Sequence, residues 1–409
     1  MPTRPAPRRR RAGLALAAVL FLLGLALWAA REPDAPPDVA RAARAPAPGA
    51  MPFFGPVPAD MPAPQNRRQL LANLQLAERT YCSYRAASRY PPGSRPMLEN
   101  ADQDRPNDPA VSTDPMRLDG DASDDTVRLQ TSQSRVYLGA GESAAFTLRA
   151  IDAEGRTLPL EIDGAFAQGL GQGGQASRTA LQFADDGGAP DAAANDGTFS
   201  GALDPARGSL ARVEGTIRTE VGYQVNGKHG VLQFDVIHTP QLPAVWAGPV
   251  RAAVEQGSLN FYLPLDVRQG GRYLVSGRAD DARGQSFALL SFNEVLKPGP
   301  NEVKLVAFGK LVRDGQPALP LSLRDVEGYL LKDAGDPDRA LLPRLEGKVA
   351  TSPAQDAAGF SNAEWQSEQK SRYLAEFARD LTDARARLAA ADPAAALPPG
   401  ACTLPAARP

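Results

Sequence analysis

An uncharged apolar segment near the N-terminus constrains this chain more than any other feature of its sequence. Residues 12–30, AGLALAAVLFLLGLALWAA, follow Arg4 and a run of four arginines over 8–11. As a helix the segment would be about 28 Å long, which matches the hydrocarbon thickness of a bilayer. Basic residues on its N-terminal side keep that end in the cytoplasm. The sequence therefore predicts a cytoplasmic tail (1–11), a transmembrane signal anchor (12–30) in a bacterial inner membrane, and a periplasmic remainder.

A cleaved signal peptide is the alternative to a retained anchor. Cleavage needs small residues in an A-x-A pattern, and Trp28 fits poorly three positions back from a cut after Ala30. The rest of the chain is exported in either case. The first 30 residues hold five arginines and no acid, so the exported part carries 40 basic and 47 acidic residues, a net charge of −7. Such an acidic ectodomain argues against nucleic-acid binding.

The first part of the exported chain contains two loop-rich stretches and one helix. Residues 31–64 are rich in Ala, Pro and Arg, a composition that predicts a semi-stiff tether. Residues 65–90 predict a helix, because Leu70, Leu74 and Ala77 recur at helical spacing. Residues 91–125 are rich in Pro, Asp and Asn and predict a linker.

Short strands separated by turn signals follow in two blocks, 126–240 and 245–335. The clearest strand of the first block is VLQFDVIH, in which Leu232, Phe234 and Val236 share one face. Strands of this length and spacing predict two tandem Ig-like, antiparallel β-sandwich domains. The expected fold class is mainly β, with flanking helices and an N-terminal transmembrane helix.

A C-terminal amphipathic helix is predicted over residues 361–392. Its apolar stripe runs from Trp365 to Leu388, and Ser361 with Glu364 forms a capping-box pattern. A single apolar stripe must pack on something, and the expected surface is the helix at 65–90 rather than a separate partner. The spacing leaves parallel and antiparallel pairing of the two helices open.

The chain contains two cysteines, Cys82 and Cys402. Two cysteines in an exported protein usually pair, so we predict a disulfide between them; two unpaired thiols are the alternative.

The run FADDGGAPDAAANDGTFSGAL, Phe183–Leu203, is similar to a signature of the bacterial choice-of-anchor X domain proteins. The segments GTIRTEV, LQFDVIHTP and GSLNFYLPLDVRQGGRYLVSGRADDARGQSFALLSFNE follow in the same order. The similarity covers residues 66–392. It implies a membrane or surface anchor ahead of β-rich exported domains, and the second block also resembles accessory β-sandwiches found beside secreted enzymes. The resemblance carries over no activity and no catalytic residue.

The acidic loop inside this run is the candidate metal site. It supplies carboxylates and backbone carbonyls of the kind that Ca²⁺ prefers, and the candidate ligands are Asp185, Asp186, Asp191 and Asp196. Its spacing is not that of an EF-hand, and an Asx- and Gly-rich turn between two strands is the favoured alternative. No other cofactor is expected.

The sequence contains no recognisable catalytic motif. His229 and His238 are its only histidines, and no cluster of metal-binding His or Cys accompanies them. We therefore expect a non-enzymatic, membrane-anchored module that interacts with an envelope protein. The alternatives are a Ca²⁺-dependent adhesion or structural protein and an accessory domain of an unrecognised envelope enzyme.

Overall fold

The computed structural model describes residues 63–118, 123–170 and 178–392. The predicted cytoplasmic tail, anchor and nearly all of the tether lie outside these residues, and no helix within them is long and apolar enough to cross a membrane. By its internal contacts the chain divides after Gln69, and the features below belong to the unit that starts at Leu70.

The described chain is mainly β, as predicted, because strands are its most abundant regular structure. Two sheets enclose the first of two hydrophobic cores and form what we call the first sandwich. Sheet I has the order β2-β3-β5-β10-β9 with β6 beside β5, and sheet II has the order β4-β12-β11-β7-β8. The strands are β2 Ala110–Arg117, β3 Ser123–Gln133, β4 Tyr137–Gly139, β5 Ala144–Ile151, β6 Thr157–Leu158, β7 Leu160–Gly169, β8 Arg178–Leu181, β9 Phe183–Ala184, β10 Phe199–Leu203, β11 Gly215–Val225 and β12 Lys228–Thr239.

Two further sheets enclose the second core and form the second sandwich. Sheet III has the order β1-β17-β16-β19-β20 with β21 also on β19, and sheet IV places β13, β14 and β18 along β15. The strands are β1 Ser94–Pro96, β13 Ala244–Trp246, β14 Arg251–Glu255, β15 Ser258–Val267, β16 Gly271–Asp280, β17 Ser286–Leu296, β18 Gly299–Ala307, β19 Ser322–Leu331, β20 Arg339–Leu341 and β21 Leu345–Thr351.

Period-two alternation of side chains produces these layers, because successive residues of a strand point to opposite faces. β11 alternates between buried and half-buried residues along its whole length. In β12, Phe234 and Val236 are buried while Gln233 and Asp235 are exposed, which confirms the predicted faces. The Phe146 and Phe234 rings stack across the first core with centroids 4.6 Å apart.

The predicted linker at 91–125 is wrong, because much of this segment is strand. β1 pairs with β17 in the second sandwich, and β2 pairs with β3 in the first. The short 3₁₀ helix Met97–Gln103 follows β1. The chain therefore enters the second sandwich, leaves to build the first, and returns at β13. The first sandwich is inserted into the second rather than placed ahead of it in tandem.

Three α-helices complete the described structure: α1 Ala63–Ala87, α2 Gly309–Gly315 and α3 Glu368–Ala391. The ring of Tyr84 in α1 contacts Phe377 in α3 edge-on at 5.3 Å, and Arg385 of α3 bonds Glu78 of α1 at 3.3 Å. A later residue of α3 thus meets an earlier residue of α1. The predicted pairing of the two helices is confirmed, and it is antiparallel.

The predicted start of the C-terminal helix is wrong by seven residues. Ser367, not Ser361, caps α3, and its hydroxyl accepts the N–H of Lys370 at 3.0 Å. The N–H of Ser361 donates to Gly257 O at 2.9 Å, and the N–H of Trp365 donates to Arg89 O at 3.2 Å. These backbone bonds to other segments hold residues 361–365 outside the helix.

Candidate functional site

The structure brings three of the four predicted metal ligands together. Oxygen atoms of Asp185, Asp191 and Asp196 lie within 4.8 Å of one another, in the loop between β9 and β10. Asp186 is not in this group; it accepts the N–H of Gly188 at 2.8 Å. The loop thus gathers three carboxylates on one side of a turn.

Each of these three carboxylates also stabilises the turn itself. Asp185 accepts the N–H groups of Asp196 and Gly197, at 3.1 and 2.9 Å. The buried Asp191 accepts the N–H of Gly187 at 2.6 Å, and Asp196 accepts that of Thr198 at 2.8 Å. The arrangement is that of an Asx-rich turn. It leaves free lone pairs on the carboxylates, so the Ca²⁺ hypothesis stays a prediction.

The two histidines occupy different environments, one buried and one exposed. His238 is buried, its Nδ1 lies 2.7 Å from Val213 O, and burial lowers its pKa below the ordinary value. His229 is exposed, and its Nδ1 lies 2.9 Å from Asp163 Oδ2. His238 is thus a packed core residue. Cys82 lies on α1 and Cys402 lies outside the described residues, so the predicted disulfide stays a prediction.

A cleft that the sequence did not predict lies where the two sandwiches meet, and its volume is about 440 Å³. Its floor is the outer face of sheet III. Two rows of side chains cross the strands β17, β16 and β19 there. They are Asn293, Leu274 and Tyr329 in one row and Ser291, Ser276 and Glu327 in the next. The first row places Leu274 beside Tyr329, and the second row is polar throughout.

One wall of the cleft comes from the other sandwich. The guanidinium of Arg339 lies over the rings of Tyr137 from β4 and Tyr329 from β19, 5.0 and 4.9 Å from the two centroids. Cation–π contacts of this kind fix the guanidinium plane. Arg339 Nε also donates to Asp338 Oδ1 at 2.8 Å, and this bond raises the pKa of Arg339. The stack joins the two sandwiches through a single side chain.

Glu142 of the first sandwich stabilises the same wall of the cleft through hydrogen bonds and ion pairs. Its carboxylate accepts Arg135 at 3.0 Å, Arg344 at 2.5 Å and the N–H of Gly139 at 2.7 Å. Arg135 also bonds Glu346 in the second sandwich, and Arg344 donates to the carbonyl of Tyr137 at 3.2 Å. The side chains of Arg135, Glu142 and Arg344 are partly buried, and that of Glu346 is exposed. The network holds β4 against β20 and the segment that follows.

A fully buried arginine supports the opposite side of the cleft. Arg278 of β16 has no exposed surface, and its Nε donates to Gln103 O at 2.7 Å. Its two Nη atoms donate to Asp325 O at 3.0 Å and to Glu327 Oε1 at 2.9 Å. Asp325 sits at a bulge of β19 with φ of 47°, a conformation that Asp tolerates better than most residues. Arg278 thereby fixes both Glu327 and the end of the 3₁₀ helix.

Sequence reasoning missed this cleft because its residues come from distant segments. Residues 103, 137, 274–276, 291–293, 327–329 and 339–344 line it, and only the topology brings them together. One weak signal was present: Leu274 is an apolar residue among Arg272, Ser276 and Arg278 at the outward positions of β16.

Comparison with known proteins adds little to this geometry. No family model matches the sequence, and no curated protein matches it. Two solved structures resemble parts of it at 13% identity. One is a DUF4785 family protein from Legionella pneumophila subsp. pneumophila str. Philadelphia 1, with a TM-score of 0.36 over 55% of this chain and 57% of that one. The other is FdeC, an Escherichia coli adhesin, with a TM-score of 0.19 over 57% of this chain and 66% of that one.

This chain thus spans less than two thirds of either structure's length. At such low similarity neither name informs the function, and the resemblance to choice-of-anchor X proteins stays a prediction.

Proposed function

We propose that this protein is an exported, membrane-anchored binding module of the bacterial envelope, and that it holds an envelope component in the cleft between its two sandwiches. The observation that carries the proposal is the position of the cleft. Ligand sites favour the boundary between two domains, because each domain supplies a wall that the other cannot. Here Tyr137 comes from one sandwich and Tyr329 from the other.

The fixed geometry of the cleft supports binding. Side chains from both sandwiches are already held by ion pairs and by the Arg339 stack before a ligand arrives. A preformed site loses little conformational entropy on binding, so more of the contact free energy appears as affinity. The volume of the cleft lies inside the range of small-ligand sites, roughly 300–1,000 Å³.

A non-enzymatic role is the simpler reading of the same side chains. Glu327 is tied to Arg278, Arg339 to Asp338, and Arg344 to Glu142. Each of these charged groups is thus engaged by a partner of opposite charge within the protein. The proposal therefore assigns recognition, not turnover, to the cleft.

The proposed membrane anchor and periplasmic location rest on the sequence of residues 1–30. Protease added to spheroplasts tests them, because a periplasmic ectodomain is digested only after the outer membrane is opened. Full protection of residues 63–392 in intact spheroplasts would refute the proposed location. A mature N-terminus that begins after residue 30 would replace the anchor by a cleaved signal peptide.

Site-directed photocrosslinking in growing cells tests the binding role. A photoreactive amino acid replaces Ser291, an exposed residue on the cleft floor, in the full-length protein. The matched control carries the same amino acid at Thr113, an exposed strand residue of the first sandwich. We expect a discrete adduct from position 291 that position 113 does not give. Identical patterns from the two positions would refute the cleft as the binding site.

A further inference from the structure

Each charged side chain that lines the cleft already has a partner of opposite charge. Glu327, Arg339 and Arg344 line it, and they pair with Arg278, Asp338 and Glu142. An ionic ligand would have to compete with a partner already in place, and breaking such a pair leaves one charge uncompensated. The cleft therefore favours an uncharged ligand over an ionic one.

The remaining polar groups are suited to hydroxyl groups. Glu327 is fixed by Arg278, and Asn293 accepts Arg272 Nη1 at 2.9 Å through its Oδ1. Within the described part of the chain, Ser291 Oγ and Asn293 Nδ2 have no hydrogen-bond partner. The cleft thus offers a carboxylate acceptor, amide donors and a hydroxyl that can do both. Hydroxyls of a ligand can donate to the first and accept from the second.

The cleft also has an aromatic part. Tyr329 on the floor and Tyr137 on the wall are both half-buried, and Leu274 lies beside Tyr329. A Tyr side chain presents an apolar body with a polar tip. A ligand with an apolar C–H face and a rim of hydroxyls matches both features at once.

An extended peptide fits this floor less well. Peptides that bind β-sheets usually add a strand at a free edge, where main-chain groups are unpaired. Along both rows of the floor β16 is paired on its two sides, with β17 and with β19, whereas β17 is paired with β1 only at residues 288–290. The backbone groups in the middle of the floor are therefore already engaged, and a peptide strand has room only along the outer edge of β17, beside the floor.

From the charge balance, the hydroxyl-matched groups and the aromatic part, we propose that the cleft binds an uncharged oligosaccharide. The inference rests on the proposed function, because it assigns a ligand class to the same site. It places sugar rings against the parts of Tyr329 and Tyr137 that Arg339 leaves uncovered, with ring hydroxyls bonded to Glu327, Asn293 and Ser291.

Binding to defined oligosaccharides tests the proposal. The full-length protein in detergent is applied to a glycan microarray and titrated with cellotetraose, maltotetraose and chitotetraose, with tetragalacturonate as the anionic control. Ser291→Trp fills the cleft from an exposed position, and Thr113→Trp is its matched control. Asn293→Ala removes one contact, and Gln233→Ala removes an equally exposed amide from the first sandwich.

We expect at least one uncharged oligosaccharide to bind. Ser291→Trp should weaken it at least about tenfold, which corresponds to roughly 1.4 kcal/mol. Asn293→Ala should weaken it roughly two- to tenfold, the range expected for one hydrogen bond. Both control variants should bind like the wild type.

Three results would overturn the proposal, and they separate it from the proposed function. If folded protein binds none of the uncharged glycans, the ligand class is wrong, and crosslinking from position 291 decides separately whether the cleft binds anything. If the protein binds tetragalacturonate but none of the uncharged sugars, and Ser291→Trp abolishes that binding, the cleft is a binding site but its ligand is not an uncharged sugar. If sugar binding survives Ser291→Trp unchanged, the sugar site lies outside the cleft and this proposal fails, while crosslinking from position 291 again decides the proposed function.

Discussion

Replacement of Arg278 by Met should destabilise the second sandwich far more than an ordinary surface substitution does. Arg278 is fully buried and donates to two backbone carbonyls and to Glu327. Met has a similar length and can fill the same space, so the change removes the hydrogen bonds and the charge while it leaves only a small cavity.

The size of the effect follows from the partners that remain. Removing one member of a buried ion pair typically costs about 3–5 kcal/mol. The side chain of Glu327 is 33% exposed, so water compensates part of its lost partner. The carbonyls of Gln103 and Asp325 each lose one charged donor, at roughly 1 kcal/mol apiece. We expect a total loss of about 3 kcal/mol, which lowers Tm by roughly 10–15 °C for a domain of this size.

Calorimetry and urea unfolding of the full-length protein measure the loss. Arg218→Met is the matched control, because Arg218 also pairs with an acid across two strands but both side chains are partly exposed. Exposed pairs contribute roughly 0–1 kcal/mol, so the control should lower Tm by only a few degrees. A loss below about 1 kcal/mol for Arg278→Met, or an equal loss for the control, would refute the view that Arg278 anchors the cleft.

Three further measurements test the remaining predictions. Hydrogen bonds from Lys228, and from the hydroxyl and N–H of Thr126, lower the pKa of Asp124 to about 2. This carboxylate therefore stabilises the fold above its ordinary pKa, and the contribution is lost as pH falls towards 2. Lys228→Met should raise the pKa part of the way towards 3.8 in an NMR titration. The Ca²⁺ hypothesis predicts that millimolar Ca²⁺ raises Tm, that EDTA reverses the rise and that Asp191→Asn abolishes it. An unchanged Tm would show that the acidic loop is a structural turn and not a Ca²⁺ site. Mass spectrometry without reductant should find a peptide linked through Cys82 and Cys402, and recovery of both as free thiols would show that the disulfide is wrong.

Local patterns predicted the strands and helices well because they depend on neighbouring residues. The alternation of β12 and the helical spacing of Leu70, Leu74 and Ala77 both correspond to the buried faces that the structure has. The start of α3 was misplaced for a tertiary reason. Ser361 and Glu364 satisfy the capping-box pattern, but the bond from Ser361 N to Gly257 O holds that segment outside the helix.

The two candidate sites also differ in whether their residues are close together in the sequence. The acidic loop was visible in the sequence because its ligands lie within twelve residues, and three of them do come together. The cleft was not visible, because Arg278 meets Gln103 across 175 positions and Glu142 meets Arg344 across 202. Pairings at such separation are set by strand order, which composition and periodicity do not encode.

The insertion of the first sandwich explains why a cleft at this boundary can be rigid. Two domains joined by one linker usually move relative to each other. Here the chain crosses the boundary twice, between the 3₁₀ helix and β2 and again between β12 and β13. Beside the second crossing, Thr239 Oγ1 accepts the N–H of Leu341 at 3.4 Å, and Lys332 bonds Glu214 at 2.8 Å. With the Glu142 network these contacts restrict rotation about the crossings, so Tyr137 and Tyr329 keep the positions in which both rings contact Arg339.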